Sequence, residues 1–354
     1  MKLASIEKIT NVQPIPGADA IEAATVLGWE VVIKKGEYQV GDMATYIQID
    51  TIVPATEQYA FLHSRKYRVR TIKLRQQISQ GLLVPLPEGN WAVGDDVTTL
   101  LGIKKYSKEL PDLLAKPKMP TVWYKRWLWK LKYEWLVKIF PNLHKVNRRG
   151  FPTSLVPVTD EERIQNMPQV LEEYKGKQFV VSEKLDGSSI TIIHELGYFK
   201  QSKYRVCSRR FELFNKHNDW HQVFVSTHFA KQIQKLVTHF GTANIIVQGE
   251  YIGKPQGNKY RLTANEIRLF NIFVNGKRLN QQTFYEVINN LNIPACPYIE
   301  TVLLDYTLPQ ILAKAEGLSQ LHTIEREGLV WRCVEHPSVS FKTISNKYLL
   351  LNEE

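Results

Sequence analysis

Positions 104–150 hold 13 Lys or Arg against three acidic residues, a local net charge of +10 in a chain whose total is +11 over 354 residues. That one stretch divides the chain into an upstream part of roughly 100 residues and a downstream part of roughly 200, each long enough for a core of its own. A single small module is excluded. Three parts are expected: 1–103, 104–150 as a linker or insertion, and 151–354. The concentrated charge, with a pI near 9.3, favours a polyanionic partner, nucleic acid or an anionic membrane surface, and charge alone does not choose between them.

Upstream, short runs rich in Val, Ile and Thr at 21–27, 30–33, 44–49 and 81–85 are separated by turn signals such as Pro16-Gly17, Lys35-Gly36 and Val40-Gly41-Asp42. Strands of this length and spacing suit a small β-barrel of the oligonucleotide-binding (OB) type. Within 104–150 the charges are interleaved with Tyr106, Trp123, Tyr124, Trp127, Trp129, Tyr133 and Trp135. Lys125, Arg126, Lys130 and Lys132 could neutralise phosphates while the rings stack on bases. A helical linker with solvated charges competes equally, and a membrane-surface helix ranks lowest because Trp129 and Tyr133 leave the apolar face.

Downstream, strand-like runs at 179–182, 189–194, 245–248, 267–274 and 328–334 alternate with helical stretches near 222–240 and 281–290, an α+β pattern. Directly after the first run comes Ser182-Glu183-Lys184-Leu185-Asp186-Gly187. A lysine attacks phosphorus only as the free amine, so a nucleotidyl-transfer site is expected to lower its pKa, and Gly187 would let backbone and phosphate approach closely. By itself Lys-x-Asp-Gly is equally a surface turn. Its ordered company is more specific: Ser208-Arg209-Arg210, Gln248-Gly249-Glu250-Tyr251, Leu269-Phe270-Asn271, Arg326-Glu327-Gly328 and Ser340-Phe341-Lys342-Thr343-Ile344-Ser345.

In that order the motifs resemble the covalent nucleotidyltransferase superfamily of ATP-dependent ligases and RNA capping enzymes. Within it the chain is similar to RNA ligases of the phage RNA ligase 2-like branch, nearest the Deinococcus-type ligases with an N-terminal OB-like domain. Further matches include Thr159-Asp160-Glu161-Glu162-Arg163-Ile164-Gln165-Asn166, Gln256-Gly257-Asn258-Lys259-Tyr260 and Ser345-Asn346-Lys347-Tyr348-Leu349-Leu350. The resemblance implies an OB-like barrel followed by an α+β, ATP-grasp-like nucleotidyltransferase domain. It implies ATP with Mg²⁺ or Mn²⁺, and an RNA partner, such as a nicked duplex with an RNA 3′-hydroxyl end.

Carried over by motif, Lys184 forms lysyl-AMP and Glu183 lies beside adenine, with Asp186 and Gly187 in the same nucleotide-binding segment. Arg209 contacts the nucleotide or the reacting ends, Glu250 binds ribose or assists a metal, and Phe270 stacks on adenine. Glu327 holds a divalent ion and Lys342 grips the α-phosphate. Each also has a plainer reading, Phe270 as core and the charges as surface ion pairs. The chain departs from the pattern twice: Ile344 stands where many relatives have a second lysine, with Lys347 the nearest substitute for binding nucleic acid, and Asn271 stands where an acid is usual.

Only 12 residues follow Lys342, which argues against the C-terminal barrel of DNA ligases and capping guanylyltransferases. Those enzymes remain the nearest alternatives, beside a catalytically decayed nucleic-acid-binding protein. Cys207, Cys296 and Cys333 fit neither a zinc spacing nor a disulfide framework and read as small buried residues. With no apolar signal or membrane-spanning stretch, a cytoplasmic protein without membrane or obligate protein partner is expected.

Overall fold

The computed structural model describes residues 2–106, 124, 127, 128, 148–197, 201–214, 216 and 218–352. The candidate RNA contacts Lys125, Arg126, Lys130 and Lys132 lie outside the described residues. At the two ends of that segment, Lys104–Lys105 pairs with Thr51–Ile52 and Arg148–Gly150 pairs with Phe211–Leu213.

Upstream, two three-stranded antiparallel sheets dominate. Met43–Ile47 lies between Ala4–Lys8 and Leu82–Val84, while Asn11–Pro14, Ile21–Val26 and Trp29–Lys34 pair in chain order. The last two are joined at Leu27 and Gly28, both with positive φ (48° and 74°), as a two-residue hairpin turn requires. Trp29, Val31 and Ile33 are buried with the strand's period of two. They meet Ala24, Val26, Ala44, Tyr46 and Leu83 in one core, where the Trp29 and Tyr46 rings stack with centroids 6.4 Å apart.

Downstream, a seven-stranded antiparallel sheet faces a four-stranded one. In the larger, Ser188–Leu196 lies between Ser202–Ser208 and Ile245–Ile252, and Glu266–Val274 follows. The helices Asp219–Ser226, Phe229–Phe240 and Gln281–Leu291 cover it. The sequence suggests one helix at 222–240. The structure has two, because His228 adopts a left-handed conformation (φ 50°) that redirects the chain so that Phe229, Ile233 and Leu236 reach the core. In the smaller sheet the order is Tyr298–Leu303, Gln178–Lys184, Gly328–Cys333, Ser340–Ile344. Its second strand is buried from Phe179 to Glu183, which explains the unbroken apolar run that opens it.

The upstream and downstream bodies touch through apolar side chains. Ile78 packs with Ile344, Tyr348 and Leu349. A Cβ on Gly28 would stand 2.8 Å from Leu308 Cδ2, so the hairpin turn approaches the helix Leu308–Ala313 as closely as only glycine allows.

Candidate active site

Lys184 ends the central strand of the small sheet and Ser188 begins a strand of the large one. Leu185, Asp186 and Gly187 therefore carry the chain across the seam between the sheets. A cavity of about 510 Å³ opens there, lined among others by Lys184, Arg209, Glu250, Phe270, Glu327 and Lys342. Six separate motifs thus converge on one space.

Lys184 Nζ lies 2.6 Å from Glu327 Oε2, and both side chains are largely buried. Antiparallel register brings this about: Lys184 pairs with Gly328, next to Glu327. The expected lowering of the nucleophile's pKa is not found. Burial acts to lower it, but Glu327, Glu250 and Asp186 together outweigh burial and hold Lys184 above the usual lysine value. Three carboxylates facing one ammonium stabilise its charge more than dehydration destabilises it. Burial pushes Glu250 up to about 8, against the pull of Lys184. Lys342 is brought down to about 8 by burial, then by the neighbouring cations Lys184, Arg163 and Arg209, with Asp160 opposing.

Phe270 reaches the cavity through a β-bulge. Gln248 pairs with Asn271 and Gly249 with Leu269, which leaves Phe270 as the extra residue. Its ring lies 5.7 Å from the Arg332 guanidinium. Glu183 is buried, which raises its carboxyl above the ordinary range. Its Oε2 accepts the Gln320 amide at 2.8 Å, and its Oε1 is buried with no hydrogen-bond partner. Gly187 has a different reason from the one expected: a Cβ there would collide with the Tyr251 carbonyl oxygen and stand 2.8 Å from Ile252 Cγ2. The glycine is thus needed for close strand approach, and it also lines the cavity.

Several neighbours carry no role in the sequence reading. Asp160 forms ion pairs with both Arg209 and Lys342, the latter at 3.5 Å. Glu161 pairs with Arg332 at 2.7 Å. The Asp186 carboxylate is held by Lys259 and by the Tyr348 hydroxyl, and its amide donates to Tyr260 Oη at 2.7 Å. The only signal for these was membership of the matched segments around Asp160, Lys259 and Tyr348, because contacts between such distant segments have no local spacing.

Both departures acquire a place. Ile344 is buried against Ile78 of the upstream body. Lys347 is exposed, 3.0 Å from Glu316, and is not among the residues lining the cavity. Asn271 donates to Gln248 at 2.9 Å and is otherwise enclosed, a structural amide. Cys207, Cys296 and Cys333 are free and buried.

No group of three or more His, Cys, Asp or Glu suited to a metal ion occurs among the described residues. Glu250 and Glu327 open on the same cavity. Two carboxylates form the partial ligand set of a Mg²⁺-type ion that also uses water and substrate phosphate oxygens. The donor set therefore fits an ion brought with a polyphosphate. Beyond Arg209 and Lys342 the cavity continues into a cleft of about 960 Å³ between the two bodies, whose walls include Arg68, Lys105 and Tyr106 upstream and Arg163 and Arg210 downstream.

Comparison with known proteins identifies both bodies. An OB-fold domain model matches residues 3–86 and an RNA ligase model matches residues 177–348. No curated protein sequence matches. Among solved structures, a Naegleria gruberi RNA ligase with pyrophosphate is 32% identical, with TM-score 0.74, covering 100% of this chain and 99% of that one. A lysine-to-alanine mutant of that ligase with ATP and Mn is 33% identical, with TM-score 0.75 and 99% coverage of both chains. A lysine-to-methionine mutant with AMP and Mn is 32% identical, with TM-score 0.75, covering 100% of this chain and 99% of that one. A largely buried lysine at the seam of two antiparallel sheets, in a chain that also carries an OB-fold domain, accords with that class. The chain belongs to the RNA ligase family.

Proposed function

We propose that the protein seals RNA with ATP as the energy source, joining 3′-hydroxyl and 5′-phosphate ends, with nicked duplexes as the substrate. The observation that carries this reading is the Lys184–Glu327 pair inside a cavity that also receives Glu250, Arg209, Phe270 and Lys342. Binding of ATP and a divalent ion by similar ligases supports the same choice of substrate and ion.

In the first step Lys184 Nζ, after losing its proton, attacks the α-phosphorus. The N–P bond forms as the P–O bond to pyrophosphate breaks. Glu327 Oε2, already 2.6 Å away, orients the amine and is placed to accept its proton. Lys342 and Arg209 balance charge on the transferred phosphate, Phe270 stacks on adenine, and Glu183 Oε1 accepts from its amino group. A divalent ion, when held by Glu327 and Glu250 with the phosphates, supplies charge neutralisation of the α-phosphate. Next an RNA 5′-phosphate oxygen displaces Lys184 from AMP, giving the adenylylated strand. The adjacent 3′-hydroxyl then attacks that 5′-phosphate and AMP leaves.

The interdomain cleft adjoins Arg209 and Lys342, which suits a strand whose 5′ end enters from that side. The division into 1–103, 104–150 and 151–354 belongs to this reading, with nucleotide transfer in the third part and strand holding shared by the others. A cytoplasmic setting belongs to the same reading; among the described residues no helix is long and apolar enough to cross a membrane. The test is incubation with labelled ATP and then with nicked duplexes carrying RNA or DNA on each side of the break in all combinations. Adduct formation followed by sealing of RNA 3′-hydroxyl nicks supports the proposal; sealing only of all-DNA nicks, or transfer of GMP instead of AMP, overturns it.

A further inference from the structure

Tyr348 belongs to no catalytic motif, yet it touches three parts of the molecule at once. Its hydroxyl donates to the Asp186 carboxylate, two residues beyond the nucleophile. Lys259 Nζ donates to the same hydroxyl at 2.7 Å and also binds Asp186. Tyr348 belongs to one small apolar cluster with Ile344, Leu349 and Ile78, the last from the OB-fold body.

The helix that carries Tyr348, Asn346–Asn352, is fastened from several sides. The Ser345 amide donates to the Glu327 carbonyl at 2.9 Å, the Tyr348 amide donates to Ser345 Oγ at 3.1 Å, and Gln80 Nε2 donates to Asn346 Oδ1 at 3.3 Å. One short helix is therefore tied to the backbone of Glu327, to the side chain of Asp186 and to the OB-fold body. Burial and the adjacent Asp186 raise the phenol's pKa further, so the hydroxyl stays a donor at all working pH values.

We propose that Tyr348 is a positioning residue for the nucleophile segment and that Ile78 sets it, so that the OB-fold domain helps fix Lys184 opposite Glu327. This rests on the reading of Lys184 as the adenylylated lysine. The Leu185-Asp186-Gly187 crossing leaves the small sheet at Lys184, and its carboxylate is anchored by Lys259 and Tyr348. A hydroxyl on a ring held in the cluster that includes Ile78 keeps that carboxylate in one place. Loosen either, and the crossing gains freedom that misplaces Nζ by a fraction of an ångström, enough to slow an in-line attack without removing any group that touches ATP.

The test is a double-mutant cycle on the full chain, reading the single-turnover rate of lysine adenylylation against ATP concentration. Tyr348→Phe deletes one hydrogen bond to a charged group and keeps the ring; it should lower the maximal rate about tenfold and move half-saturating ATP less than twofold. Ile78→Ala should lower the maximal rate several-fold, and the double variant should be no slower than Tyr348→Phe alone. Ile78→Val, which removes one methyl group, covers the case in which the alanine variant does not fold, with a smaller change in the same direction. A wild-type maximal rate for Tyr348→Phe, or a change confined to half-saturating ATP, overturns the positioning role. Effects of Ile78 and Tyr348 that multiply independently overturn the link to the OB-fold domain. Absence of any adduct on the unmodified protein would instead overturn the ligase reading itself.

Discussion

Lys184 Nζ and Glu327 Oε2 stand 2.6 Å apart although 143 residues separate them in sequence. The pairing of two antiparallel strands delivers them to each other, and the carboxylates around Lys184 hold it above the usual lysine value. Purified protein with ATP and Mg²⁺ is accordingly expected to gain one AMP at Lys184, and Lys184→Ala should gain none. Intact-mass measurement decides this; the same adduct on the alanine variant would remove Lys184 from its role.

Glu327→Ala should cost far more than Phe270→Ala. The carboxylate contacts Lys184 and lines the cavity proposed to take the phosphate, so its loss should lower the adenylylation rate on the order of 100-fold or more. Phe270 offers a stacking face, and its removal should mainly raise the ATP concentration required, by several-fold. Steady-state kinetics giving the reverse order would reassign both residues.

The charge of Lys342 makes ATP binding sensitive to pH. Its ammonium is held down to about 8, first by burial and then by neighbouring cations. A cationic group with a lowered pKa is charged below that value and loses its charge as pH rises through it. ATP affinity of the free enzyme should therefore fall between pH 7 and pH 9. Lys342→Arg keeps its charge across the range and should flatten the fall; titrations by calorimetry with equal slopes for both proteins would exclude Lys342 as the phosphate contact.

Restoring the lysine that many relatives carry should damage this protein. Ile344 is 6% exposed and packs against Ile78, so Ile344→Lys would place an ammonium in an apolar contact between bodies. A loss of roughly 2–4 kcal/mol in stability is expected, without a gain in adenylylation rate. Denaturant melts and single-turnover rates test the two halves separately, and a faster enzyme would show that the position still serves phosphate.

For the basic segment, Lys125, Arg126, Lys130 and Lys132 replaced together by Ala should weaken binding of nicked duplex and flatten its salt dependence, leaving AMP transfer to Lys184 nearly intact. Gel-shift titrations at several salt concentrations measure this. Unchanged affinity and slope would assign the segment to a linker, and liposome binding by the wild-type protein would assign it to a membrane surface.

The sequence by itself determined the α+β class, the OB-type run of short upstream strands and the order of the RNA ligase segments. These are written locally: runs rich in Val, Ile and Thr set off by Pro16-Gly17 and Lys35-Gly36, and Lys184 followed by Asp186 and Gly187. Tertiary structure alone decided the rest. Whether Lys184 is raised or lowered depends, beside the adjacent Asp186, on Glu327 and Glu250, which arrive from distant places in the chain. Phe270 faces the cavity because of a bulge opposite Gly249. Ile344, Tyr348 and Asp186 take their partners from Ile78 and Lys259, far away in sequence. Charge–charge energies and side-chain packing depend on distance in space, and only the folded chain brings these residues within a few ångströms.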